Sequence, residues 1–301
     1  VEISAASIVT VNPTTIVATN PVGGTKCEGD THTFAVTATG NGLTYQWFKN
    51  SAPIAAATSS SYTISPITAA DNGTYHCVVT GTCGIATSSG ATLNVNAATV
   101  VNGQPAATTT ICQTETTTLT FDVTGTGLSF LWKKNGQPIT DPNISGVTTK
   151  DLLVSTGVPS NSGTYTCTVT SACGGVITSN MATLTVRATT VITTQPIAAT
   201  KCEGDGVVFT VAATGSTLTY DWQRNGVSIG VTTPTLTLNP LVKATHEGTY
   251  TCVVSGDCGV LTSDPAILTV NIPVTLGAAP TISANPVCQN GSTTITVNAT
   301  G

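Results

Sequence analysis

Short runs of alternating apolar and polar residues, separated by Gly, Pro, Asn and Asp, fill this chain from end to end. Phe34, Val36 and Ala38 alternate with Thr33, Ala35, Thr37 and Thr39. Leu119, Phe121 and Val123 repeat the pattern, as do Phe209, Val211 and Ala213. A period of two predicts a strand with one face turned to a core. A second kind of run spans Leu43 to Asn50, Leu128 to Asn135-Gly136 and Leu218 to Asn225-Gly226. Each ends at a turn, and Asn-Gly is the strongest short hairpin signal. Ser61-Tyr62-Thr63-Ile64, Asp151-Leu152-Leu153-Val154 and Thr235-Leu236-Thr237-Leu238 give a third strand. Closing strands end at Ala91-Thr92-Leu93-Asn94-Val95, Ala182-Thr183-Leu184-Thr185-Val186 and Ala266-Ile267-Leu268-Thr269-Val270. No stretch carries the helical period, so the predicted class is all-β.

These elements recur in a fixed order. Cys27…Trp47…Tyr75-His76-Cys77…Cys83-Gly84 returns as Cys112…Trp132…Tyr165-Thr166-Cys167…Cys173-Gly174, and again as Cys202…Trp222…Tyr250-Thr251-Cys252…Cys258-Gly259. The first Cys precedes the Trp by 20 residues each time, and the last two Cys are always six apart. A period of 85 to 90 residues is too long for a solenoid repeat and suits a small β-sandwich. The predicted boundaries are the last strand of a preceding domain over 1–12, whole domains over 13–96, 97–187 and 188–272, and the first strands of a fourth domain over 273–301. Ile3 to Asn12 resembles Thr262 to Asn271, and Cys288 to Gly301 resembles Cys202 to Gly215, so the chain reads as a window on a longer polypeptide. The linkers between repeats are short, which favours a semi-rigid array.

Composition sharpens this. Charged residues make up only 8% of the 301, against roughly 25% in an ordinary soluble domain. Thr, a strand-favouring neutral residue, takes their place on the predicted outer faces. Nine Lys and Arg with a net charge of −5 leave no basic footprint for nucleic acid. No apolar run approaches the ~18 residues of a membrane span. Ten cysteines at repeating positions point to disulfides and an oxidising, extracellular setting. The close Cys/His pairs of a zinc site are absent from the sequence.

A Trp followed about 30 residues later by Gly-x-Tyr-x-Cys resembles the immunoglobulin fold, closest to its intermediate-set type. The resemblance implies that Trp47, Trp132 and Trp222 fill the middle of each sandwich. It implies that Tyr75, Tyr165 and Tyr250 form tyrosine corners, each hydroxyl bonding back to the backbone. Asp71, Asn161 and His246 stand where that corner commonly opens with Asp. The Cys-Glu-Gly-Asp opening, the Tyr-Gln-Trp strand and the hairpin with two cysteines resemble tandem Ig-like repeats of very large bacterial surface proteins, of the style of Bacteroidota adhesins.

One departure concerns the cysteines. Antibody-type domains place a Cys on the second strand about a dozen residues before the Trp, where this chain has Val36, Phe121 and Val211. The candidates for disulfides are Cys27, Cys77, Cys83, Cys112, Cys167, Cys173, Cys202, Cys252, Cys258 and Cys288. With the implied topology, Cys27 lies at the bottom of its sandwich and Cys173 in the top hairpin of the next. A bond needs Cα atoms within about 7 Å. Cys27 to Cys173 and Cys112 to Cys258 would then staple neighbouring repeats. Bonds within a domain to Cys77, Cys167 or Cys252, and free or intermolecular thiols, stay open.

Catalytic chemistry finds no foothold. The three histidines, His32, His76 and His246, fall at unrelated positions, and neither a nucleophile elbow, an HExxH motif nor a phosphate loop occurs. The acidic clusters Glu28-Gly29-Asp30 and Glu203-Gly204-Asp205 read as tight turns rather than halves of a calcium site, because the second repeat has Gln113-Thr114-Glu115 there. The expectation is therefore a non-enzymatic protein without catalytic residues, metal or cofactor: a structural segment of a long extracellular fibre or adhesin stalk. Its expected partners are neighbouring repeats of the same chain, with self-association into filaments and an unknown surface or glycan ligand as further possibilities. The rival readings are ligand- or glycan-binding adhesin modules, and an accessory stalk of a larger secreted enzyme.

Overall fold

A computed structural model describes residues 9–283 and 286–300. Two compact units divide the chain, and the boundary between them runs through the second repeat. One unit holds the first repeat with 118–153 and 164–183; the other holds 108–117, 154–163 and everything from 184 onward.

The first repeat shows how the pattern becomes a sandwich. The Trp47 strand, Thr44–Lys49, pairs antiparallel with Gly73–Gly81, with Trp47 opposite Cys77. Gly73–Gly81 in turn pairs with Ala91–Asn96, and that strand runs parallel to Gly24–Cys27. The facing sheet is assembled from two pairs, Ile16–Thr19 with Thr37–Thr39 and His32–Ala35 with Ser61–Ile64. The third repeat reproduces each pairing, with Trp222 opposite Cys252. In the second repeat the six-stranded sheet has the same strand order, with Trp132 opposite Cys167.

The opening strand changes sheets part way. Asn20-Pro21, Gln104-Pro105 and Gln195-Pro196 mark the change, since Pro has no N–H for either ladder. The Asn20, Gln104 and Gln195 side-chain oxygens accept from the backbone N–H of Ser89, Asn180 and Asp264. That latch fixes the crossing chain to the bend in the closing strand.

One difference from the sequence pattern is a broken second strand. The run from Thr33 to Thr39 divides into His32–Ala35 and Thr37–Thr39, whose partners lie on opposite sides. Val36 sits at the break, buried, and its N–H donates to Ser60 O. The alternation of faces survives the break, so the apolar reading holds although the ladder does not.

Each core is built around its Trp. Trp47, Trp132 and Trp222 are fully buried, and their indole N–H groups donate to Ser59, Thr149 and Thr233 carbonyls. Phe34 stacks on Tyr75 at 4.5 Å and Phe209 on Tyr250 at 5.1 Å. The Tyr75 and Tyr250 hydroxyls donate to Asp71 O and His246 O, four residues back, as a tyrosine corner requires, and Tyr165 is equally buried. Asp71, Asn161 and His246 accept from the backbone N–H of Thr68, Val158 and Val242. Three different side chains thus supply one acceptor, which is why no single residue type is needed there.

The hairpins follow their residues. Asn50-Ser51 and Asn225-Gly226 have positive φ at both positions, as a two-residue type I′ loop demands. The Asn50, Asn135 and Asn225 side chains also accept from the N–H of Thr74, Thr164 and Thr249, tying each hairpin to the neighbouring strand.

Residues 1–8, which hold most of the expected strand over 1–12, lie outside the described residues, and 9–12 carry no strand. Within 273–300, Thr275–Leu276 pairs with Ala299–Thr300 and Thr281–Ile282 with Ile295–Thr296, all of them exposed.

Candidate functional site: the joints between repeats

Each compact unit contains one joint between successive repeats, and each joint is closed by a disulfide. Cys27 is bonded to Cys173 and Cys112 to Cys258, with Cα separations of 5.7 and 5.6 Å and the same spacing of 146 residues.

The lower half of each joint is a tight turn that presents the first cysteine. In the first repeat, Cys27 N–H donates to the Asp30 carboxylate, Asp30 N–H returns to Cys27 O, and Glu28 N–H donates to Asn96 O. Cys112 and Cys202 repeat the arrangement with Glu115 and Asp205 as the acceptors. The carboxylates are therefore spent on backbone N–H groups that a strand leaving its ladder would otherwise leave unpaired. The turn needs a left-handed residue at its centre, with φ of +89° at Gly29, +90° at Gly204 and +74° at Thr114. Among the described residues, no three His, Cys, Asp or Glu side chains gather as a metal site would need.

The upper half is the hairpin of the following repeat. At the first joint, Glu28 and Thr126 side chains accept from the Ala98 and Ala97 N–H groups of the linker, and Thr99 donates to Ser171 at 2.7 Å. At the second joint, Arg187 pairs with Asp257 at 2.7 Å, and Thr217 donates to the same carboxylate. An ion pair this exposed adds under about 1 kcal/mol. A disulfide closing a long loop is worth about 2–5 kcal/mol and dominates each joint.

Six of the ten candidate cysteines are not bonded. Cys77, Cys167 and Cys252 are buried in the cores beside their Trp strands. The second-strand position from which antibody-type domains reach this thiol holds Val36, Phe121 or Val211, all buried, so these thiols have nothing to bond. Burial pushes all three thiols up, Cys167 to about 11. Cys83 sits in the top hairpin of the first repeat, and Cys202 and Cys288 are exposed; all three are free.

The histidines hold structural places. His32 packs edge-on against Phe34 and bonds Val22 O, His76 stacks on Phe48 at 5.0 Å, and His246 caps its corner.

The sequence pattern did not single out Ser88, Ser179 and Ser263. Each is buried, accepts from the N–H of Cys77, Cys167 or Cys252, and donates to the carbonyl of the next residue. They stitch the bend of the closing strand to the core. Their signal was present: each lies 11 or 12 residues after its core Cys.

No curated protein matches the chain by sequence. Among solved structures, a three-domain I-band fragment of titin superimposes with a TM-score of 0.64 at 18% identity, covering 87% of this chain and all of the fragment. The first five immunoglobulin domains of Sidekick-1 superimpose with a TM-score of 0.52 at 20% identity, covering 88% of this chain and 60% of that one. At these identities the likeness is one of fold. Among the described residues, no helix is long and apolar enough to cross a membrane. The immunoglobulin domain model matches residues 6–95 and 98–186, more than half of the chain. The chain belongs to the immunoglobulin domain family, as a tandem array of its domains.

Proposed function

We propose that this chain is a structural segment of a long extracellular fibre or adhesin stalk, with Ig-like domains over 13–96, 97–187 and 188–272. The observation that carries this reading is the pair of staples with one shared spacing of 146 residues. The two loops they close, 27–173 and 112–258, overlap over 112–173, most of the second repeat. A pull on the ends therefore meets two parallel covalent routes. A binding module has no need of that arrangement; a load-bearing one does. Stable disulfides belong to an oxidising compartment, which supports an extracellular location. The resemblance to giant bacterial surface proteins points the same way.

Lateral self-association into filaments is part of this proposal. The upper closing strands Gly84–Thr87, Gly175–Thr178 and Gly259–Thr262 expose Ile85, Val176 and Val260 at a sheet edge, and such edges can pair with another chain. Glycan- or ligand-binding adhesin modules, or an accessory stalk of a secreted enzyme, are the alternatives.

Force spectroscopy on the intact chain tests the stalk reading. With both staples closed, the shortest covalent path crosses both bonds and runs back over 173–112, omitting 170 residues, so adding reductant is expected to lengthen full extension by roughly 580 Å at ~3.4 Å per residue. Equal extension with and without reductant would overturn it.

A further inference from the structure

The third repeat carries an open groove of about 540 Å³ between its Trp222 hairpin and the strand Thr235–Leu238. Val227, Ile229, Val231, Leu236 and Leu238 form its apolar wall, and Arg224 and Tyr250 line it as well. Pockets of about 300–1,000 Å³ suit small organic ligands.

The first repeat shows what this space is for when it is filled from within. There the position of Leu236 is held by Tyr62, whose ring lies 6.4 Å from Trp47 and 6.2 Å from Tyr75. The position of Arg224 is held by Lys49, which is anchored on Ala70 O and over the Tyr75 ring. In the third repeat the Trp and Tyr remain, as Trp222 and Tyr250, while the intervening aromatic ring is gone. The adjoining loop is also one residue shorter, Ile229-Gly230-Val231 standing for Ile54-Ala55-Ala56-Ala57.

The polar groups of the groove are mostly committed. Asn225 accepts from Thr249 N–H, His246 from Val242 N–H, and the Tyr250 hydroxyl donates to His246 O. Arg224 differs: among the described residues its guanidinium has neither an ion pair nor a hydrogen bond. Its charge reaches the groove floor, since burial raises the Tyr250 phenol and Arg224 pulls it back. A half-buried, unpaired guanidinium beside an apolar wall is a ready partner for a carboxylate.

We propose that the groove of the third repeat binds a small aromatic carboxylate, its ring in the space that Tyr62 fills in the first repeat and its carboxylate on Arg224. The class follows from the two missing parts, a ring and an anion.

The test is a methyl and indole NMR titration of the intact chain with 3-phenylpropionate as probe, and with the neutral 3-phenylpropanol as control. Saturable shifts are expected at Trp222, Leu236 and Leu238 and not at Trp47. The alcohol, and the Arg224→Gln variant with the acid, are each expected to bind about tenfold more weakly. Leu236→Tyr, which restores the first repeat's ring, is expected to abolish binding. Arg224→Gln lies at the surface, and an unchanged Trp222 indole signal verifies its fold. Absence of saturable shifts at millimolar probe would overturn the proposal, as would binding indifferent to Arg224 or equal shifts at Trp47.

Discussion

Cys27 and Cys173 are 146 residues apart in the chain and 5.7 Å apart between Cα atoms, and Cys112 and Cys258 repeat that relationship one repeat later. Because the two loops overlap, they do not add. Either staple alone shortens the covalent path by the same 146 residues. Both together shorten it by 170, so Cys27→Ser and Cys112→Ser singly are expected to lengthen maximal extension under force by only about 80 Å. The double variant is expected to gain the full ~580 Å. Each single variant should still lose about 2–5 kcal/mol of stability, read by urea denaturation.

A pair of hydroxyls tests the packing of the top hairpins. Thr99 donates to Ser171, but the equivalent Thr15 and Thr190 hydroxyls are buried without a partner among the described residues, because Gly81 and Gly256 replace the serine. Thr190→Val keeps the shape and removes the unpaired group, so it is expected to stabilise by about 1 kcal/mol. Thr99→Val leaves Ser171 without its donor and is expected to destabilise by about the same amount. Denaturation midpoints of the two variants should move in opposite directions.

Much of this fold is legible in the sequence because its constraints are local. The alternation at Phe34-Ala35-Val36, the Asn-Gly hairpins and the Gly-x-Tyr-x-Cys corner each specify geometry within a few residues. The break at Val36 was not legible, since alternation reports which face a residue takes and not which strand pairs with it. Ser88, Ser179 and Ser263 recur 11 or 12 residues after the core Cys, but their role depends on a bend that brings the two together, which spacing alone does not report. At the joints, the three cysteines per repeat were visible, yet several pairings fitted the spacing until the third dimension chose between them. The groove depends on what Leu236 fails to fill, and periodicity carries no information on empty space.

Thr114 is a β-branched residue at φ +74°, where its counterparts are Gly29 and Gly204. A left-handed conformation costs an L-residue roughly 1–2 kcal/mol, offset in part by the entropy a glycine loses on folding. Thr114→Gly is expected to stabilise by up to about 1 kcal/mol, whereas Gly29→Thr should destabilise. Thermal melts of the two variants check the sign.

The buried thiols make stability depend on alkaline pH. Cys167 rises by burial from 9.0 to about 11, so its proton is held more tightly in the folded state than in the unfolded one. Its contribution is fully present below the unfolded value and is lost as pH rises through the folded one. Urea midpoints are expected to fall from about pH 8.5 upward. The Cys167→Val variant should fall less than the parent between about pH 8.5 and 10, before the tyrosines titrate in the unfolded chain. Equal slopes would assign the loss to other groups.

Peptide mapping by mass spectrometry, with free thiols alkylated under denaturing but non-reducing conditions, tests the stapled array most directly. The account predicts cross-linked peptides joining Cys27 to Cys173 and Cys112 to Cys258, with Cys77, Cys167 and Cys252 recovered alkylated. A bond from Cys27 to Cys77, or alkylated Cys27 and Cys173, would contradict it.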